Sequence, residues 1–433
     1  MRIRIVLAFP LLCLLGCSDF IHPVKSTPEP TEYSFNHWLL NTLYLYEDEL
    51  PNLPEDGDSV QVLYKTLSDP YTRYTPPSKS EAAVISSTTS MIAGDLGMRY
   101  FSNFNIMHPI FILRVYPQGP AGRAGVPRYG QIIKANDVEL TGNNAKAVYD
   151  SIVNYSKNVN ILVAHNDDTT LYKLEKETVY APTVFVDTLY RDSAKGYPGI
   201  IFITIEGFKL MTADQKKGTY GELKSYLDST TSDKRVRVLD LRNNPGGHIN
   251  ECIDMADLFV KEGTLSTRQG RTFNGNGESQ KFTISKKAKA GDSGESGDYL
   301  IFANRNSASC SEIFIAAVTE TTNIPLAGGK TYGKGIGQSM YYTYSKGLAT
   351  ITDIEFLTPK GNSYHGKGIS PQYTCENDVI DNDCAARIAS KLYGVKIPEQ
   401  KDNALAKRHF EQNEESSTDE FEGGAIEWGE LPR

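Results

Sequence analysis

Between residues 184 and 395, apolar runs of strand length alternate with runs of helical period, and few folds accommodate such a pattern. PGIIFITI, RVRVLDL, DYLIFANR and IPLAGG are short and apolar, which reads as buried strand. TADQKKGTYGELKSYLDS, NECIDMADLFV and SEIFIAAVTE fall between them and read as helices. QSMYYTYS and LATITDIEFLTP follow as a β pair, and DNDCAARIASKLYG closes the segment as a helix. Alternation of this kind predicts an α/β core.

The rest of the chain divides around that core. At 433 residues there is length for two or three domains. Phe35, Trp38, Leu39, Thr42, Leu43 and Tyr46 recur at helical spacing, so residues 32–85 are expected to be a small helical domain ending near the turn DPYTRYTPP. Residues 90–180 are rich in strand patterns, with AKAVYDSIVNY as an amphipathic helix, and are expected to form one module. Residues 396–433 are polar, and from Glu411 onward they hold eight acidic residues against one arginine, which predicts a disordered tail.

Charge and leader narrow the class. A formal net charge of −8 with no concentrated basic face argues against a nucleic-acid partner. Arg2 and Arg4 precede the apolar stretch VLAFPLLCLLG, which reads as a signal peptide over residues 1–16 and is too short to span a bilayer. Leu14-Leu15-Gly16-Cys17 resembles a bacterial lipobox, implying lipidation of Cys17 and a tether over 17–31. The expected location is extracytoplasmic, anchored to a bacterial membrane at its periplasmic face or at the cell surface. Four cysteines then remain. Cys375 and Cys384 close a short polar loop and are expected to pair, whereas Cys252 and Cys310 sit in apolar helical runs and read as buried thiols.

Candidate chemistry lies at Ser309 and Lys334. A serine hydroxyl needs a base to take its proton, and a lysine amine serves only where it is desolvated. Taken alone, Ser309 with Glu312 is equally the S-x-x-E of a helix capping box, and Lys334 among Gly333, Gly335 and Gly337 is an ordinary solvated charge. A serine at a helix N-terminus would, however, place backbone N–H groups where an oxyanion develops, the Cys310 N–H among them. The strand-ending run NNPGG supplies a turn whose Gly246 and Gly247 let a substrate carbonyl approach. Gly329-Lys330-Thr331 lacks the upstream glycine and frame of a phosphate loop. No metal-ligand spacing is present among the seven histidines, and no cofactor is expected.

Together these pieces resemble the C-terminal processing peptidases, serine peptidase family S41. LDLRNNPGG at Leu239–Gly247, NRNSASCSE at Asn304–Glu312 and GKGIGQ at Gly333–Gln338 stand in that family's order; DPYTRYTPP and HGKGISPQ resemble further motifs. The resemblance implies a crotonase/ClpP-like α+β multidomain fold and a serine endopeptidase. It casts Ser309 as nucleophile, Lys334 as base, Gln338 as the residue that orients the lysine, and Gly246, Gly247 and Cys310 as the oxyanion hole. Gly94-Asp95-Leu96-Gly97-Met98 resembles the carboxylate-binding loop of PDZ domains, and GPAGRAGV their following turn, with Tyr129-Gly130-Gln131 in place of the usual Gly-Asp. That implies capture of C-terminal tails of protein or peptide substrates by strand addition. Rival readings are an inactive peptide-binding lipoprotein of the same fold and a crotonase-like acyl-transfer enzyme. A triad built on His248 or His365 is weaker, since both read as turn residues.

Overall fold

The computed structural model describes residues 31–398 apart from 55–56, 58, 104–105 and 376–381. The expected signal peptide, Cys17, the tether before Thr31 and the tail from residue 399 lie outside these residues. Among the described residues, no helix is long and apolar enough to cross a membrane.

Two compact units are present, and they interleave in sequence. The smaller takes the described residues up to 81 together with 268–283 and 336–355. Its first helix, Glu32–Leu43, begins where the Thr31 side chain accepts the Ser34 N–H at 3.0 Å. The predicted apolar stripe is its buried face: Phe35, Leu39, Leu40 and Leu43 join Leu63, Tyr64, Tyr341, Ala349 and Ile351 in one cluster. The sheet partners come from the expected β pair, Ile336–Tyr342 antiparallel to Leu348–Leu357, and from Arg73–Thr75. Strands Thr264–Phe273 and Ser279–Lys287 complete that sheet and were not anticipated. Their sequence is too polar, Ser279–Lys287 being largely exposed, to show an apolar alternation. The expected helical domain is thus a helix-on-sheet unit, because its helices cannot bury their stripe without strands supplied from much later in the chain.

The larger unit holds both the 90–180 module and the core. In the module, strands run in the order Met98–Ser102, Ile110–Val115, Gln131–Ala135, Asn158–His165, Asp168–Glu175. Helix Ala145–Tyr155 lays Ala145 and Tyr149 onto a cluster that includes Ile110, Ile112, Ile132, Ile161 and Val163. Asp187 of the core joins the module to it, accepting from Arg114 at 2.7 Å and from Arg128.

The core sheet has six strands in the order Val184–Asp192, Tyr197–Ile205, Arg237–Asp240, Tyr299–Ala303, Leu326–Gly328, Tyr373–Thr374. The first pair is antiparallel and every later pair parallel. Its central strands are buried throughout, as their apolar runs predicted: Val238, Leu239, Leu300, Ile301 and Phe302 have no exposed surface. Helices Gly218–Ser229, Ile249–Asp257, Cys310–Thr321 and Asn382–Tyr393 connect or follow these strands, confirming the α/β pattern.

Candidate active site

Two adjacent parallel strands, Arg237–Asp240 and Tyr299–Ala303, end side by side, with Asp240 opposite Phe302. Parallel direction therefore delivers the turns that follow them to one edge of the sheet, where open α/β sheets hold ligands. Arg242 braces this edge: Nε and Nη2 donate to the two Asp240 oxygens at 2.9 and 2.7 Å, and the guanidinium lies 4.2 Å above the Phe302 ring.

Polar side chains sew the two turns together. Asn243 N–H donates to Asn304 Oδ1 and Asn304 Nδ2 donates back to Asn243 Oδ1, both at 3.0 Å. The Asn244 carbonyl accepts the Ala308 N–H at 3.1 Å and the Ser311 hydroxyl at 2.9 Å. Ser307 donates to the Leu241 carbonyl at 2.8 Å. Asn244, Asn304, Ser307 and Ser311 are wholly buried, so each contact replaces water that cannot enter.

Ser309 sits at the end of this seam, as the residue before helix Cys310–Thr321. Its backbone has φ 56° and ψ −115°, a conformation that costs a non-glycine residue about 1–3 kcal/mol. Glu312 holds it there. This carboxylate has no exposed surface, and Oε2 accepts the N–H of Ser309 at 3.0 Å and that of Lys334 at 2.7 Å. Oε1 accepts the Thr331 hydroxyl and the Gly333 N–H, each at 2.6 Å. Burial pushes the Glu312 carboxyl upward, against the opposing pull of these four donors. The capping box read from S-x-x-E is thus real, and it also ties the serine to the lysine: both backbones hang from one oxygen. Lys334 is only 4% exposed, so the solvated surface charge that its glycines suggested is excluded.

The glycine turn closes against the serine. A Cβ on Gly246, which has φ +107°, would lie 2.8 Å from the Ser309 Cβ and 3.0 Å from the Cys310 nitrogen. Its conformation and this close approach both require glycine. One expectation changes here: the Gly246 N–H is engaged by Asn244 Oδ1 at 2.9 Å, and its carbonyl accepts the Phe208 N–H at 3.1 Å. Gly246 therefore contributes room rather than a donor. The Cys310 N–H, in the first turn of its helix, has no partner within that helix.

Other candidates fall as follows. Gln338 belongs to the smaller unit, where its Nε2 donates to Thr352 Oγ1 at 3.1 Å. Thr352 is held in turn by Thr72 of the DPYTRYTPP motif, whose hydroxyl accepts the Thr352 N–H at 2.9 Å and donates to Asp69 at 2.6 Å. His365 is a turn residue as read, its Nδ1 accepting the Gly335 N–H at 3.3 Å. His248 precedes helix Ile249–Asp257, with its N–H on the Phe208 carbonyl at 2.8 Å. In the 90–180 module Leu96 and Met98 are buried, Gly94 and Gly97 have φ +66° and +75°, and Asp95 Oδ1 accepts the Gly97 N–H at 2.6 Å. Cys375 and Cys384 form the expected disulfide.

Cys252 and Cys310 are a correction. They are not thiols but a second disulfide, Cα atoms 5.5 Å apart, between helices Ile249–Asp257 and Cys310–Thr321. Both runs are apolar enough to look self-sufficient, and only the packing of one helix on the other pairs the sulfurs. The supporting roles of Asn244, Thr331 and Glu312 were likewise missed. Glu312 was visible three residues after Ser309, but a cap partner and a bracket share that spacing.

Residues 199–375 match the model of peptidase family S41. A Staphylococcus aureus protein (strain COL) described as a CtpA-like serine protease is 27% identical over 339 residues, covering 78% of this chain and 63% of its own length. A similarly described protein of Staphylococcus saprophyticus is 27% identical over 336 residues, with 76% and 61% covered. The chain thus spans a little under two thirds of these relatives. The crystal structure of a Bacteroides fragilis protein described as an S41 protease superposes with TM-score 0.55 over 87% of this chain and 100% of that one, at 12% identity, so the fold is shared. Residues 199–375 thus resemble peptidase family S41, and the chain shares the fold of a protein described as an S41 protease.

Proposed function

We propose that this chain is a serine endopeptidase working through Ser309 and Lys334. Neutral Lys334 takes the Ser309 proton as the hydroxyl oxygen attacks a peptide carbonyl; the C–N bond then breaks, and the lysine returns that proton to the leaving amine. Water repeats the relay to release the acyl group. The N–H groups of Cys310 and Gly247 receive the oxyanion in the space left by Gly246. The 90–180 module binds substrate tails, and a lipid on Cys17 keeps the enzyme on an extracytoplasmic membrane surface.

One observation carries the catalytic part: a single buried carboxylate oxygen on Glu312 receives the backbone N–H of both Ser309 and Lys334, with the lysine itself out of solvent. Burial is what a lysine base requires. Casein cleavage by the purified protein tests it. Ser309→Ala and Lys334→Ala are each expected to lower the rate by about a thousandfold or more. Cleavage that survives Ser309→Ala refutes the assignment. Incorporation of labelled palmitate, expected to vanish in Cys17→Ala, tests the anchor separately.

A further inference from the structure

In the 90–180 module, a carboxylate of the chain itself, Asp95, bonds the loop that resembles a carboxylate-binding loop. Strand Met98–Ser102 is the outermost of its sheet in the described residues, so its free edge is where a peptide strand would add. The loop ahead of it is pinned from behind: the Leu96 carbonyl accepts the Ala121 N–H and the Gly97 carbonyl the Tyr116 N–H, both at 2.8 Å. A Cβ on Gly97 would lie 2.7 Å from the Gly119 Cα, which keeps the loop tight against that turn. Two of the loop's carbonyls, those of Leu96 and Gly97, are thus engaged away from the strand edge. The half-buried Asp95 side chain takes an N–H of the loop, Oδ1 accepting that of Gly97 at 2.6 Å.

Cations around the loop favour the same assignment. The stem of Lys176 would lie 3.4 Å from a Cβ on Gly94, and its amine donates to the Val153 carbonyl at 2.6 Å. Arg99 pairs with Glu206 at 2.6 Å, and burial pushes the Asp95 carboxyl upward against the opposing pull of the Gly97 N–H, Arg99 and Lys176. Glycine-rich backbone, inward carbonyls and two cations are the parts of a carboxylate site. Here the chain's own carboxylate occupies it.

We propose that Asp95 is a built-in competitor for the terminal carboxylate of substrate tails, a specificity-determining residue that keeps the module weak toward free chain ends until its side chain is displaced. This deepens the function proposed above and rests on the reading of the module as a tail-binding site. A tail must supply enough apolar and strand contacts to displace Asp95, so the module discriminates by the residues before the terminus more than by the terminus itself.

Fluorescence anisotropy on the full chain carrying Ser309→Ala, so that peptide persists, tests this with two labelled peptides of one apolar-ended sequence, one with a free carboxylate and one amidated. With Asp95 present, the two are expected to bind within about threefold of each other. Asp95→Ala is expected to tighten the free-carboxylate peptide about tenfold and to leave the amidated one unchanged. Asp95→Asn, which keeps the acceptor but not the charge, is expected to give a smaller gain of the same sign and guards against loss of loop structure. A free-carboxylate peptide bound no more tightly by either variant overturns the competitor role while leaving tail binding intact. If neither peptide binds any form, tail binding and the competitor role both fall.

Discussion

Two carboxylates in the larger unit do opposite things with backbone N–H groups. Glu312 gathers four donors, three of them backbone amides, from two separate loops, and so joins Ser309 to Lys334. Asp95 takes an amide of its own loop and fills the place it frames. The difference is reach. A carboxylate in a helix, wholly buried, can bridge elements distant in sequence, whereas one two residues from its donor folds back on its own turn. An acidic residue beside a functional loop therefore says little about function until its donors are known.

Several measurements bear on that contrast. The largest effect is expected from Glu312→Gln, which loses one acceptor oxygen and turns an amide toward donors. Displacing Ser309 and Lys334 is expected to cost about a hundredfold in kcat with little change in KM. Activity near the unmodified level would mean that the bracket does not position the pair. Asp95→Ala should move the other way, strengthening carboxylate binding as set out above.

A smaller effect on catalysis is expected from opening the Cys252–Cys310 disulfide, which holds the residue after Ser309 to the neighbouring helix. Cys252→Ser should lower casein cleavage about threefold. It should also lower the thermal midpoint by several degrees, because a link spanning 58 residues is worth up to about 4 kcal/mol. Unchanged activity would show that Glu312 alone suffices to hold Ser309.

The smallest effect concerns a third carboxylate, Glu251, which takes the Tyr220 N–H at 2.8 Å. Burial, with Asp254, Asp214 and Glu222 nearby, pushes it up to about 8 from an ordinary 4.5. The folded chain keeps that proton up to about pH 8 while the unfolded chain gives it up near 4.5, so this contribution to stability is complete below 4.5 and is lost as pH rises to about 8. Glu251→Gln should therefore melt a few degrees above the parent at pH 8.5 and converge with it near pH 5. A gap that did not change with pH would exclude titration of Glu251 as its cause.

Legibility followed locality. The central strands, the amphipathic helix of the module and the pair Ile336–Tyr342 with Leu348–Leu357 were readable because each carries its own apolar pattern. Strand Ser279–Lys287 was not, since a largely exposed strand has no apolar face to betray it. At the candidate site, the residue types and their order were visible, and the local disulfide Cys375–Cys384 with them. The Cys252–Cys310 disulfide and the engaged Gly246 N–H were invisible, each depending on a partner that local spacing does not supply.

By itself, then, the sequence determined the alternation of the core, the glycines that let a turn approach Ser309, and the ordered motifs that resemble family S41. Tertiary structure decided whether those residues form a site. Burying Lys334, suspending it with Ser309 from one Glu312 oxygen and spending Asp95 on its own loop all depend on which donors surround a carboxylate, and that environment exists only once the strands have been set side by side.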